Sequence, residues 1–120
     1  MIKLSNPYAK LEGYNCFACA PNNHDGLKMT FYEDGDDIIS QWQPTKQFEG
    51  FYEVLHGGIQ STLMDEIANW VVAVKTETSG MTVELSTQFH KAVMIEDGAP
   101  ITIRARLTEK NRKKAQIHAQ

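Results

Sequence analysis

The spacing of apolar residues along this chain changes period twice. Leu27, Met29 and Phe31 alternate with Lys28, Thr30 and Tyr32, the two-residue period of a half-buried strand. Asp34-Gly35-Asp36 is a hairpin-turn signal, and residues 38–42 read as the returning strand, stopped by Pro44. From Gly58 to Thr76 the period becomes helical. Ile59, Leu63, Met64, Ile67, Trp70, Val71 and Val74 fall on one broad arc, which predicts the face turned to a sheet. Alternation resumes in residues 81–93 through Val83, Leu85 and Phe89, and again through Ile101, Ile103, Ala105 and Leu107. Residues 115–119 begin a further strand. The connecting stretches are a polar lead-in helix or coil over residues 1–15 and a turn-rich segment over 16–26. Residues 44–55 form a long loop, and turns follow at 96–100 and in the basic run 110–113.

Two strands, one long helix and at least three more strands follow one another through short connections. Such strands pair antiparallel, and one helix cannot cover both faces of a parallel sheet. The fold class is therefore α+β, an antiparallel sheet wrapped against one central helix. Its 120 residues make one domain with a small core, to which association would add stability.

Composition narrows the partners. Twelve basic and fifteen acidic side chains give a net charge of −3, which offers no reason to expect nucleic acid. No apolar run is long enough for a membrane span, and the N-terminus has no signal core. The two cysteines fit a reducing cytoplasm. Cys16-x-x-Cys19 has only His24 nearby and no second cysteine pair. Zinc takes about four ligands, so no metal is assigned and a structural role is expected.

The chemistry gathers at the helix. Asp65 points away from the apolar arc, among Ser61, Thr62, Ala68, Asn69 and Val72, a face small enough for a second backbone or a ligand to approach. A solvated carboxylate is the competing interpretation. Glu66 sits at the rim of the apolar arc, near Leu63 and Trp70. His56-Gly57-Gly58 precedes the helix, where N–H groups lack internal partners and the helix dipole is positive. A carbonyl oxygen placed there would be polarised, and a developing oxyanion would be stabilised. Against this stand a flexible glycine cap and a histidine that serves only its own loop.

The string from Leu55 to Glu66, His-Gly-Gly with an acid nine positions after the histidine, resembles the signature of hotdog-fold acyl-CoA thioesterases. It is most similar to the phenylacetate-pathway branch of the 4-hydroxybenzoyl-CoA thioesterase superfamily. Residues 50–55, Cys16-Phe17-Ala18-Cys19 and Gly26-Leu27 extend the resemblance. It implies a single hotdog domain over residues 1–120 that hydrolyses acyl-CoA without a cofactor. It also implies that His56 orients the loop, that Gly57 donates its N–H to the thioester carbonyl, and that Asp65 is general base or nucleophile. Thr82 would hold the attacking water. Gly58, Phe51, Arg112 and Lys113 are expected to bind substrate, the basic pair through the phosphates of coenzyme A. Phe48 and Trp70 are further acyl-pocket candidates, with simple core packing as the commoner role of such aromatics. A non-catalytic acyl-CoA-binding module and, third, a hotdog hydratase or dehydratase are the alternatives. Hotdog domains usually carry another strand after the basic turn, so the chain is expected to lack its final strand.

Geometry adds an assembly. Asp65 lies eight residues beyond Gly57, about 12 Å along a helix axis at 1.5 Å per residue. A catalytic carboxylate works within about 3 Å of its target or through one water. Two antiparallel helices from two chains would join one helix's tip to the other's acid, which implies a homodimer, with a homotetramer as a dimer of dimers.

Overall fold

Leu63, Ile67 and Val71 stand one turn apart on the long helix, and all three are buried. They seat α1 (Gly57–Thr76) against a five-stranded antiparallel sheet in the computed structural model, which describes every residue except Asp97. Ile59, Met64, Trp70 and Val74 flank them at the edge of the core, so the arc expected from the sequence is the face that packs. The strands are β1 (Ile2–Lys3), β2 (Tyr32–Asp34), β3 (Asp37–Trp42), β4 (Ile101–Lys110) and β5 (Ala115–Ala119), in that spatial order. On β3 and β4, Ile38 opposes Ala105 and Ser40 opposes Ile103, and these pairs line the helix side of the sheet. Phe31, Leu55 and Trp42 complete the core.

Four expectations need correction. Residues 27–31 keep their alternation, with Leu27, Met29 and Phe31 buried, but they form no ladder until Tyr32. Their backbone instead binds the cysteine loop: Leu27 N–H donates to Phe17 O and Met29 N–H to Ala18 O. Gly26 makes that contact possible, because a Cβ there would lie 2.3 Å from Phe17 O. Second, the lead-in contributes the short edge strand β1 rather than a helix. Third, residues 81–93 form no ladder among the described residues. Met81, Val83, Leu85 and Phe89 are exposed, because alternation marks a strand only where a neighbour exists to pair with it. Fourth, of the two roles open to Phe48 and Trp70, the structure shows packing against the core and not a place in an acyl pocket. Trp70 stacks on Phe31 at 4.2 Å, and Phe48 packs against Trp42 and Phe17. Asp97, part of the turn expected at 96–100, lies outside the described residues.

The opposite face of the sheet holds one ion-pair cluster. Asp37 is buried at the start of β3 and accepts from Arg104 Nη1 at 2.5 Å and Arg106 Nε at 2.6 Å. Register explains this, since Arg106 lies directly across the ladder and Arg104 one diagonal away. The two guanidiniums hold the Asp37 carboxyl below its usual range. A carboxyl whose folded value is depressed adds stability that is complete above its unfolded value of about 3.9 and is lost as pH falls through the folded value. Asp37→Asn should therefore melt earlier than the parent at pH 7 and converge with it in acid. A difference that persists undiminished below pH 3 would contradict the pairing.

Candidate functional site

The loop before α1 is fixed by its own backbone. Gly50 N–H donates to Val54 O at 2.8 Å, Val54 N–H to Phe51 O at 2.7 Å and His56 N–H to Phe48 O at 3.0 Å. Leu55 is buried, and its N–H reaches Val93 O. Gly50 is needed for the fold-back, because a Cβ there would stand 2.9 Å from His56 Cα. The first residue of the helix is thus delivered to a set position.

His56 is the N-cap. Its Nδ1 accepts the Gly58 N–H at 2.9 Å, which makes Nδ1 the unprotonated nitrogen and leaves Nε2 facing outward. This engages the Gly58 donor. The Gly57 N–H has no acceptor among the described residues, and it sits at the positive end of a twenty-residue helix. An open cleft of about 680 Å³ lies over this tip, lined by Phe51, His56, Gly57, Gln60, Phe89 and Lys91 among others. The Phe89 ring is 3.5 Å from where a Gly57 Cβ would be, so it roofs the helix tip.

The acid lies on the same helix but outside that cleft. Asp65 is half-buried, and its Oδ1 accepts from the Thr82 hydroxyl at 2.5 Å. Asn69 Nδ2, one turn on, donates to Thr82 Oγ1 at 3.3 Å and to Asp65 O at 2.9 Å. Asp65 Oδ2 has no partner among the described residues. The segment after the helix returns along its small-residue face: Gly80 lies beside Val72, Thr82 on Asp65, Thr87 on Ser61 at 3.4 Å, and Phe89 over Gly57. The small face is therefore met by a backbone of the same chain, which brings Thr82 to the acid.

The structure joins Asp65 with Thr82, and His56, Gly57 and Phe51 with one another. It does not join the two groups, which remain about 12 Å apart along the axis. Arg112 and Lys113 stand exposed on the β4–β5 turn, where Asn111 Oδ1 accepts the N–H of Lys113 and of Lys114, and neither lines the cleft. Lys91 is the cation at its rim. Gln60 and Phe89 are neighbours that sequence spacing alone did not select, while Asn69, placed beside Asp65 by helical spacing, was given no role there.

The comparisons with known proteins agree with this architecture. The family model described as thioesterase superfamily matches residues 52–120. The crystal structure of a thioesterase superfamily protein superposes with a TM-score of 0.73 at 22% identity, covering 83% of this chain and 48% of that one. The chain thus spans about half the length of that protein. Zebra fish thioesterase superfamily member 2 superposes with a TM-score of 0.62 at 18% identity, covering 77% of each chain. At these identities the likeness concerns the fold. No curated protein sequence matches the chain. Among the described residues no helix is long and apolar enough to cross a membrane.

Proposed function

Given that the chain belongs to the thioesterase superfamily, we propose that it hydrolyses acyl-CoA thioesters, in the manner of the phenylacetate-pathway enzymes its His-Gly-Gly loop resembles. The observation that carries this is the Asp65 carboxylate, held through one oxygen by Thr82 and open at the other, on a helix whose tip offers the Gly57 N–H.

In the proposed reaction Asp65 Oδ2 takes a proton from a water that the Thr82 hydroxyl helps to position, and the water oxygen bonds to the thioester carbonyl carbon. The oxyanion that forms accepts the Gly57 N–H in the field of the helix dipole. Collapse breaks the carbon–sulfur bond, and the proton held on Asp65 leaves with the coenzyme A thiolate. Direct attack by the carboxylate is the other route, and oxygen-18 uptake into Asp65 separates the two. His56 acts by shaping the loop. Its Nδ1 accepts the Gly58 N–H, which fixes the ring against the helix start.

The 12 Å separation calls for a homodimer in which the tip of one α1 and the acid of the other share a substrate, with a homotetramer as a pair of such dimers. Exposed Met81, Val83 and Leu85 on an unladdered segment supply apolar surface for that contact. Phe51 and Gly58 would border the acyl group, and Arg112 and Lys113 would meet the coenzyme A phosphates, in a cytoplasmic setting. The test is free-thiol release from a panel of acyl-CoAs. Turnover with at least one acyl-CoA is the expected result. Saturable binding with no release across the panel would overturn hydrolysis in favour of a binding module.

A further inference from the structure

Cys16 and Cys19, set aside on spacing alone, meet a third group in the fold. Glu66, on α1 and beside Asp65 in sequence, extends toward the cysteine loop. Cys16 Sγ lies 3.4 Å from Cys19 Sγ and 3.9 and 4.0 Å from the two Glu66 carboxylate oxygens. One ligand atom from each of the three residues falls within 4.8 Å of the others. Tetrahedral zinc, with metal–sulfur bonds of about 2.3 Å and metal–oxygen bonds of about 2.0–2.2 Å, separates its ligand atoms by roughly 3.5–3.8 Å. The Cys16–Cys19 and Cys16–Glu66 distances lie within a few tenths of an ångström of that range, and Cys19 and Glu66 would have to close from at most 4.8 Å.

The surroundings favour a cation. Glu66 makes no salt bridge among the described residues; its partners are Trp70 Nε1 at 3.2 Å and the Cys16 thiol. Tyr14 and Asn6 complete the wall, with the Tyr14 hydroxyl 2.9 Å from Cys19 Sγ and 3.3 Å from Asn6 Nδ2. Two thiols that lose their protons on metal binding and one carboxylate thus converge in a half-buried site, with no basic side chain bonded to them among the described residues. The loop is also fixed in advance: Ala20 N–H closes on Cys16 O, and residues 27 and 29 bind Phe17 O and Ala18 O.

We propose that Cys16, Cys19 and Glu66 bind one zinc ion, with a fourth position left for water, and that the metal fastens the cysteine loop to α1 beside Asp65. Two thiolates and a carboxylate suit zinc better than magnesium or calcium, which prefer all-oxygen shells. A Cys16–Cys19 disulfide is the competing fate of these sulfurs, but it would make no use of Glu66.

The test is to reduce the full chain, load it with zinc or cobalt(II), and desalt it. The expected result is one metal per chain, intense near-ultraviolet sulfur-to-cobalt charge transfer with tetrahedral visible bands, and a Tm about 5 °C or more above the metal-free protein. Glu66→Gln should lose most of the bound metal while keeping its circular dichroism, and Cys16→Ser should abolish the charge-transfer band. Three results would each overturn the site: no stoichiometric metal in the reduced wild type, octahedral cobalt without charge transfer, or metal retained at full strength in Glu66→Gln. The wild-type cobalt spectrum decides the matter even where a cysteine variant does not fold.

Discussion

Asp65→Asn is expected to lower kcat for acyl-CoA hydrolysis by about 10²–10⁴-fold, the range over which a positioned general base contributes. The change is nearly isosteric. An asparagine Oδ1 can still accept the Thr82 hydroxyl that now reaches Asp65 at 2.5 Å, and Asn69 keeps its bond to the residue 65 carbonyl. Folding and the cleft at the helix tip should therefore survive, so that KM moves little while kcat falls. What disappears is the oxygen that accepts a proton, since the amide nitrogen put in place of Oδ2 is a donor. Steady-state thiol release on variant and parent, with circular dichroism as the folding control, gives the answer. Activity within a few-fold of the parent would remove Asp65 from the reaction and leave the Gly57 tip without its acid.

How much of this was readable in the sequence depends on how far apart the partners lie. The helix and its buried arc follow from periodicity, because each apolar residue's place on the cylinder depends only on its own number. The unpartnered N–H groups of a helix start were legible for the same reason, whereas His56 as the cap was not, because the sequence suggested a glycine cap and a helix beginning at Gly58. Asp65 with Thr82 was reached through a family pattern, and the fold adds the reason: the segment from Gly80 to Phe89 retraces the helix. The strand expected over residues 81–93 failed because pairing belongs to two segments, and alternation describes only one. Glu66 escaped for a similar cause. Nothing in its local sequence shows that a loop fifty residues earlier will lay two sulfurs against it, a placement set by Gly26 and the backbone bonds of residues 27 and 29. Phe48 and Trp70 looked like pocket residues because an aromatic side chain reads the same whether it lines a core or a cleft.

That last ambiguity can be measured. Phe31→Ala should cost about 3–5 kcal/mol, the range for emptying a buried aromatic site. Phe31 is 1% exposed and stacks on Trp70 at 4.2 Å with an interplanar angle of 19°. Trp70 in turn holds Glu66 through its indole N–H, and the Phe31 carbonyl accepts the N–H of Leu4, the residue that follows β1. Removing the ring leaves a void against rigid strands and releases the tryptophan that fixes one side of α1, so little of the loss can be recovered by collapse. At about 4 °C of Tm per kcal/mol for a chain of this size, the midpoint should fall by roughly 12–20 °C. Domains of this kind hold about 5–15 kcal/mol in all, so the variant would be close to unfolding at 37 °C. Phe51, 83% exposed at the cleft, is the internal contrast. Its alanine variant should melt within a few degrees of the parent, because a ring already in water has little burial to lose. Thermal denaturation of the two variants side by side checks the assignment. Similar midpoints would mean that the Phe31–Trp70 stack is not the core contact described.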